Sequence, residues 1–332
     1  MQIFNMLDSA KTNYLEVSDL SFAYEEKKVL DHLSFRLIRG EILGILGPNG
    51  AGKTTLFEIL TGLISTSNGN FILDGQPINP KSPQFRDHLG VVFQKPSLDQ
   101  KLSAIENLLL SASLYCIPAK AAKEKSQRLM ELMGLSDRAQ DLVGKFSGGM
   151  KRKLEIARAF IHEPKFLILD EPTTGLDEVA FQTVWTTLHQ LRNERGASLL
   201  LTTHRAEEAE RCDRLLILDH GKMIAEGSPE ELKKQIGGDV LLLELGKQVE
   251  NIAQLIQDLE QRFALHATHV DQTLHVTPTP RAEAIHFLIP KIIEHFPKQT
   301  FLSLNLHKPT LADVFVRMTG RVLTSGEVHA KI

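Results

Sequence analysis

Cysteine is scarce: the chain has two, Cys116 and Cys212, in 332 residues. They lie far apart in segments that read as helix, so neither a disulfide framework nor a metal-ligand spacing can be built from them. A reducing compartment is expected. Long apolar runs are also missing. No stretch approaches the roughly 18 to 20 apolar residues of a spanning helix, so work at a membrane would need another chain to supply the spans. The opening MQIFNMLDSAKTNY lacks the basic flank and apolar core of a signal peptide. Positive charge is not in excess. A net charge of -3 and a pI near 6.5 argue against nucleic acid as the main partner, which favours a basic face. Against these absences, 42% hydrophobic residues are enough for sizeable cores. The length fits two domains, or one large domain with an appendage.

What is present concentrates first in GPNGAGKTT, residues Gly47, Pro48, Asn49, Gly50, Ala51, Gly52, Lys53, Thr54 and Thr55. The run fits G-x-x-x-x-G-K-[ST] between an apolar strand, Ile42–Leu46, and a helix over Thr54–Leu63. Glycines let the backbone curl so that N–H groups converge on phosphate oxygens. The helix start adds a positive dipole end. Lys53 supplies a cation for the β- and γ-phosphates, and the Thr54 hydroxyl a ligand for Mg²⁺.

Phe166–Asp170 reads as a buried strand ending in Asp170 and Glu171, at the sheet edge where ligands bind in α/β folds. Asp170 can hold Mg²⁺, and Glu171 can orient and deprotonate water. Before it, Ser147-Gly148-Gly149 opens a helix that runs to Phe160, with Ser147 as the cap and bare N–H groups as a second anion site. Lys151-Arg152-Lys153 on that helix reads as a solvated face or as phosphate steering.

Together these motifs resemble those of the ATP-binding cassette (ABC) proteins. FSGGM stands at the place of the family's LSGGQ signature, with the serine and both glycines kept and Phe146 and Met150 departing from it. The other family marks follow in order. Gln94 takes the place of the Q-loop glutamine, Thr174-Gly-Leu-Asp177 matches the D-loop, and His204 takes the place of the switch histidine. Tyr24 stands where an aromatic stacks on adenine, with Phe22 as a competitor. Singly, each has an ordinary structural reading; the ordered set carries the resemblance. It implies an α/β fold: a P-loop ATPase domain over residues 14–236 with a RecA-like core, an antiparallel β subdomain and a helical subdomain.

Tyr14–Tyr24 and Val29–Ile38 read as antiparallel strands. Ser103 to Met133 reads as helical, and Val179–Arg195 as a helix ending near Gly196. Arg214–Asp219 and Met223–Glu226 read as a hairpin around His220-Gly221. Ser228-Pro-Glu-Glu231 is a capping box opening a helix that stops at Gly237-Gly238. Residues 239–320 then alternate β-α-β-β-α-β, a ferredoxin-like order and hence a small α+β module, with Pro290 expected to kink its second helix. A short helix over Leu311–Met318 and a mobile tail, residues 321–332, complete the chain. His266, His269, His275, His286, His295 and His307 read as surface histidines. His266 and His269 would face opposite sides of a strand, which disfavours a zinc site.

Lys308-Pro-Thr-Leu-Ala-Asp-Val-Phe-Val-Arg-Met-Thr-Gly320 is similar to the closing segment of daunorubicin-resistance-type exporter ATPases. The resemblance implies ATP and Mg²⁺ as cofactors. It implies Mg²⁺ ligands at Thr54, Gln94 and Asp170, catalysis by Glu171 and His204, and a second copy of the chain closing head to tail over ATP. A separate multi-spanning membrane subunit would be the partner, placing the protein on the cytoplasmic face of the plasma membrane. The competing readings are a soluble ABC ATPase acting on nucleic acid or ribosomes, and a binder that holds ATP without hydrolysing it.

Overall fold

In a computed structural model, residues 13–246, 249, 251–297 and 300–323 are described. The elements follow in chain order as β1 (Asn13–Tyr24), β2 (Lys27–Ile38), β3 (Ile42–Leu46), α1 (Lys53–Leu60), β4 (Asn70–Leu73), β5 (Gln76–Pro77), α2 (Pro83–Asp87) and β6 (Leu89–Val92). Next come α3 (Ala104–Leu114), α4 (Ala119–Leu132), α5 (Gly148–Ala159), β7 (Phe166–Asp170), α6 (Glu178–Arg195), β8 (Ser198–Thr203) and α7 (Ala206–Ala209). After these are β9 (Arg214–Asp219), β10 (Lys222–Gly227), α8 (Pro229–Lys234), β11 (Val240–Leu245), α9 (Ile252–Phe263) and β12 (Leu265–Val270). The last are β13 (Thr273–Pro278), α10 (Ile285–His295), β14 (Phe301–His307) and α11 (Leu311–Thr319).

By contacts the described residues form two compact units: residues 13–45, 50–203 and 220–223, and residues 46–49, 204–219 and those of 224–323. In the first unit, β2, β1, β4 and β5 pair side by side as an antiparallel sheet. Beside it lie β3, β8, β7 and β6 in that order, with β6–β7 and β7–β8 parallel. Ile42–Leu46 and Phe166–Asp170 are buried at every position. That is the burial expected of parallel strands covered on both faces.

The helical stretch after Ser103 is two helices. The chain breaks at Cys116, which has φ 54°, and restarts after Pro118, which cannot continue a helix from the preceding turn. Both cysteines therefore lie outside helices, Cys116 exposed and Cys212 buried. Helix α1 stops at Leu60, short of Leu63, and Gly62 follows it at φ 73°.

The second unit holds the β11-α9-β12-β13-α10-β14 succession. Its antiparallel sheet runs β12–β13–β11–β14, with a core of Leu241, Leu243, Leu259, Leu274, Val276 and Ile292 among others. Helix α10 runs through Pro290 as one helix. Two of the histidines serve structure: His275 and His307 each approach the buried Asp313 carboxylate at 3.7 Å. Burial pushes the Asp313 pKa up, but the nearby His275, the hydrogen bonds from the Thr310 hydroxyl and N–H, and the nearby His307 outweigh it and hold it below its usual value. The expected mobile tail is anchored at its start, where Arg321 donates to both Asp219 oxygens at 2.7 and 2.6 Å and Leu323 is buried. Residues 324–332 lie outside the described set.

Candidate active site

The phosphate-loop pattern folds as its glycines require. Gly50 and Gly52 have φ of 81° and 104°, a region that side chains rarely enter. A Cβ on Gly52 would also lie 2.8 Å from Leu30 and 2.9 Å from the Val29 carbonyl. Gly221 buttresses the loop by donating its N–H to the Ala51 carbonyl at 2.9 Å. A Cβ there would lie 2.2 Å from the Val29 carbonyl oxygen, so the residue first read as a hairpin turn also supports the loop. The signal was available as a second glycine in a tight turn. Its target was not.

Lys53 opens α1 and is buried. Burial lowers its pKa, against the carboxylates of Glu171 and Asp170, which raise it. Its Nζ lies 3.9 Å from Glu171 Oε1. Thr54, next to it, is exposed, and Thr55 is buried.

The parallel register of β7 and β8 sets Asp170 opposite Thr202. The Thr202 hydroxyl donates to Asp170 Oδ1 at 2.5 Å. Burial raises the Asp170 pKa, the Thr202 bond opposes that rise, and the charge of Glu171 adds to it. Glu171 sits at φ 44°, a strained region for a residue with a side chain. Its N–H is held by the Thr202 carbonyl at 3.1 Å. Gln94 Nε2 donates to Glu171 Oε2 at 2.9 Å, and Thr174 Oγ1 donates to the same oxygen at 3.1 Å. The amide of Gln94 thus donates toward the acid and keeps its carbonyl oxygen for another partner.

Arg152 is the main residue that sequence reasoning missed. It is buried, not on a solvated face. Its guanidinium donates to the carbonyls of Phe93 and Pro172 at 2.5 Å each, and to those of Asp170 and Glu171 at 3.1 and 3.2 Å. The fork ties the residue before Gln94 to the segment carrying both acids. Helical spacing was the signal available, since Arg152, Glu155, Ile156 and Ala159 share the buried face of α5.

Ser147 caps α5 by accepting from the Met150 N–H at 3.3 Å. Ser147 and Gly148 are exposed, and Phe146 is buried. A Cβ on Gly149 would lie 2.7 Å from the Ala180 Cβ, so Gly149 also lets α5 approach α6. Asp177 caps α6 through the Ala180 N–H at 2.8 Å. Tyr24 is 46% exposed, and its hydroxyl donates to Glu58 at 3.2 Å. The ring of Phe22 meets Tyr24 edge-on at 4.9 Å and is less exposed. Gly47–Asn49 link β3 to Gly50, and His204 directly follows β8. The first unit therefore brings together Lys53, Gln94, Asp170, Glu171 and Thr174. Such an arrangement can hold a polyphosphate on backbone N–H groups and a lysine, with a strained, hydrogen-bonded carboxylate beside it.

A family model described as ABC transporter matches residues 30–174. The "Nod factor export ATP-binding protein I" of Rhizobium sp. (strain N33) is 37% identical over 92% of this chain and 97% of its own length. The "Linearmycin resistance ATP-binding protein LnrL" of Bacillus subtilis (strain 168) is 33% identical over 93% and 99%. Among solved structures, cbiO1 of Clostridium perfringens, described as part of an ABC transporter complex, superposes with a TM-score of 0.62 at 26% identity, over 74% of this chain and all of its own. The ADP form of the ATP-binding cassette MJ1267 gives 0.61 at 27% identity, over 66% and 92%.

Proposed function

We propose, because the chain belongs to the family of ABC transporter ATP-binding subunits, that it powers an exporter by driving a separate multi-spanning subunit from the cytoplasmic face of the plasma membrane. It binds nucleotide and is an ATPase, as the family is. No helix among the described residues is long and apolar enough to cross a membrane, which supports a separate membrane chain. The export and resistance relatives are matched over nearly their whole lengths, which supports export over a soluble role on nucleic acid. The cassette spans 14–236, and 239–320 is an accessory module with its own core.

The observation that carries the catalytic reading is the Lys53–Glu171–Gln94 constellation. Gly47–Thr55 cradle the phosphates, and Lys53 neutralises them. Thr54, Gln94 and Asp170 offer hard oxygen donors, which fit Mg²⁺. The ion supplies charge neutralisation between the phosphates when bound. Gln94 and Thr174 hold Glu171 Oε2 and so orient the carboxylate that takes a proton from the attacking water. His204 contacts the γ-phosphate, and Tyr24 offers its exposed ring to the base. Exposed Ser147 and Gly148, with Gly149 and Asp177, complete the ATP site of a second copy. The protein's part in such transfer is positioning and charge stabilisation.

Two measurements test this. The protein should co-purify with a multi-spanning chain from detergent-solubilised membranes; recovery only with ribosomes or nucleic acid would overturn the transporter role. Glu171→Gln with ATP and Mg²⁺ should become dimeric by mass, and adding Ser147→Arg should prevent it. An ATP-bound Glu171→Gln protein that stays monomeric would refute self-pairing across ATP.

A further inference from the structure

The C-terminal sheet ends on one side at β14, whose only strand neighbour among the described residues is β11. An edge strand presents a row of backbone donors and acceptors to any other strand, and proteins usually blunt it with lysine, proline or inward charge. Phe301–Leu306 contains no lysine, proline or charge. A bulge, another such device, falls only at its start, where the register with β11 shifts between Ser303 and Phe301 and leaves Leu302 without a facing residue on β11. The strand is also bare. Leu302 is 60% exposed, and Leu304 and Leu306 are 36% exposed each. Leu304 and Leu306 lie opposite Leu243 and Leu241, which are fully buried. The apolar face of the sheet therefore continues from β11 onto β14, beyond which no strand lies among the described residues.

We propose that β14 is a pairing strand for a second copy of this chain, laid antiparallel about a two-fold axis at Leu304. Charge and side-chain pattern select that occupant. The axis sets Leu302 opposite Leu306 of the partner subunit and Leu304 opposite Leu304 of the partner subunit. On the other face it sets Ser303 opposite Asn305 of the partner subunit. Within residues 302–306 apolar meets apolar and polar meets polar, as cross-strand pairing favours; at the ends Phe301 faces His307 of the partner subunit. No like charges meet, because Phe301–Leu306 carries no ionised group. The charges flanking the strand are neutralised or bonded at home: Lys308 on Asp239, and Glu244 accepting from Ser303, each at 2.8 Å. A charged partner segment would find no ion-pair partner within Phe301–Leu306 itself. The contact needs two copies, as the proposed function does, but it does not need ATP.

The test uses the full chain with Cys116→Ser, since Cys116 is exposed and Cys212 buried. Under oxidation without nucleotide, Leu304→Cys should form a covalent dimer. Facing residues bring Cβ atoms to about 4.5–5.5 Å, near the roughly 3.5–4.5 Å of a disulfide. Leu302→Cys alone and Leu306→Cys alone should cross-link at least about tenfold more slowly, because four residues at about 3.4 Å each separate the two copies of either position. A mixture of those two variants should cross-link readily. Leu304→Lys should weaken nucleotide-free dimerisation at least about tenfold, through like charges meeting at the axis. The proposal is overturned if Leu304→Cys stays monomeric, or if all three variants cross-link equally, as random collision would give. It is also overturned if Leu304→Cys links to a membrane subunit in the purified complex instead, or if pairing emerges only after deletion of residues 324–332. Failure of the ATP-dependent Glu171→Gln dimer would leave these cross-links in place, so the two readings fail separately.

Discussion

Arg152→Met keeps the length and the apolar stem of the side chain but deletes its fork. The carbonyls of Phe93, Asp170, Glu171 and Pro172 then lose a charged donor at 2.5 to 3.2 Å. A hydrogen bond to a charged group contributes about 1.5–3 kcal/mol net, so four taken independently would sum to roughly 6–12 kcal/mol. They share one cation and are not independent. The expected loss is therefore about 3–5 kcal/mol, the scale of breaking a buried charged contact. At about 2–4 °C per kcal/mol for a domain of this size, the melting temperature should fall by roughly 6–20 °C. Arg152→Lys restores the charge without the planar fork and should recover only part of this. Turnover should fall as well, even at a temperature where the variant is folded. The fork sets the distance between Gln94 and Glu171, which share a 2.9 Å bond. Thermal unfolding by circular dichroism, paired with ATP hydrolysis at low temperature, checks both effects. A melting temperature within about 2 °C of wild type, with unchanged turnover, would refute the reasoning.

Glu171→Gln should lower turnover by about 10²- to 10⁴-fold, the usual contribution of a general base, while ATP binding measured by calorimetry persists. Tyr24→Ala should weaken ATP and GTP alike, by about 1–3 kcal/mol if stacking on the base follows nucleic-acid precedent; Phe22→Ala weakening binding with Tyr24→Ala silent would identify the other aromatic. Thr202→Val removes the hydroxyl that stabilises the charged Asp170 and opposes its upward shift, so Asp170 should hold its proton to still higher pH. The acid limb of kcat/KM, which reports the free enzyme, should therefore move to higher pH; a shift to lower pH would contradict the sign. Gly149→Ala places a methyl 2.7 Å from the Ala180 Cβ and should cost about 1–3 kcal/mol of stability as overpacking does, measured by denaturant unfolding.

The parts of the site that could be read in the chain were local ones. The Gly47–Thr55 pattern specifies its own backbone turn. Ser147 and Ser228 cap the helices they precede, since a cap bonds within three residues. Asp170 and Glu171 end a run buried on both faces. The β-α-β-β-α-β order beyond Gly238 was likewise visible in its two periods. The break between α3 and α4 is marked in the chain only by Pro118, because Cys116 turns left-handed without a glycine to signal it. Arg152 was hidden by its neighbours, since three basic residues in a row look alike until α5 turns one of them inward.

The phosphate loop, the strand-end acids and the order of the elements follow from the chain alone, because each depends on the backbone preferences of residues adjacent in it. It took packing in three dimensions to bring Thr202 to Asp170, Gln94 to Glu171 across 77 positions, and Arg152 between both segments. Packing also decided that Gly149 makes room for α6 and that β14 ends its sheet among the described residues. These are distances between remote segments, set by strand register and helix packing, and no local preference of the chain encodes them.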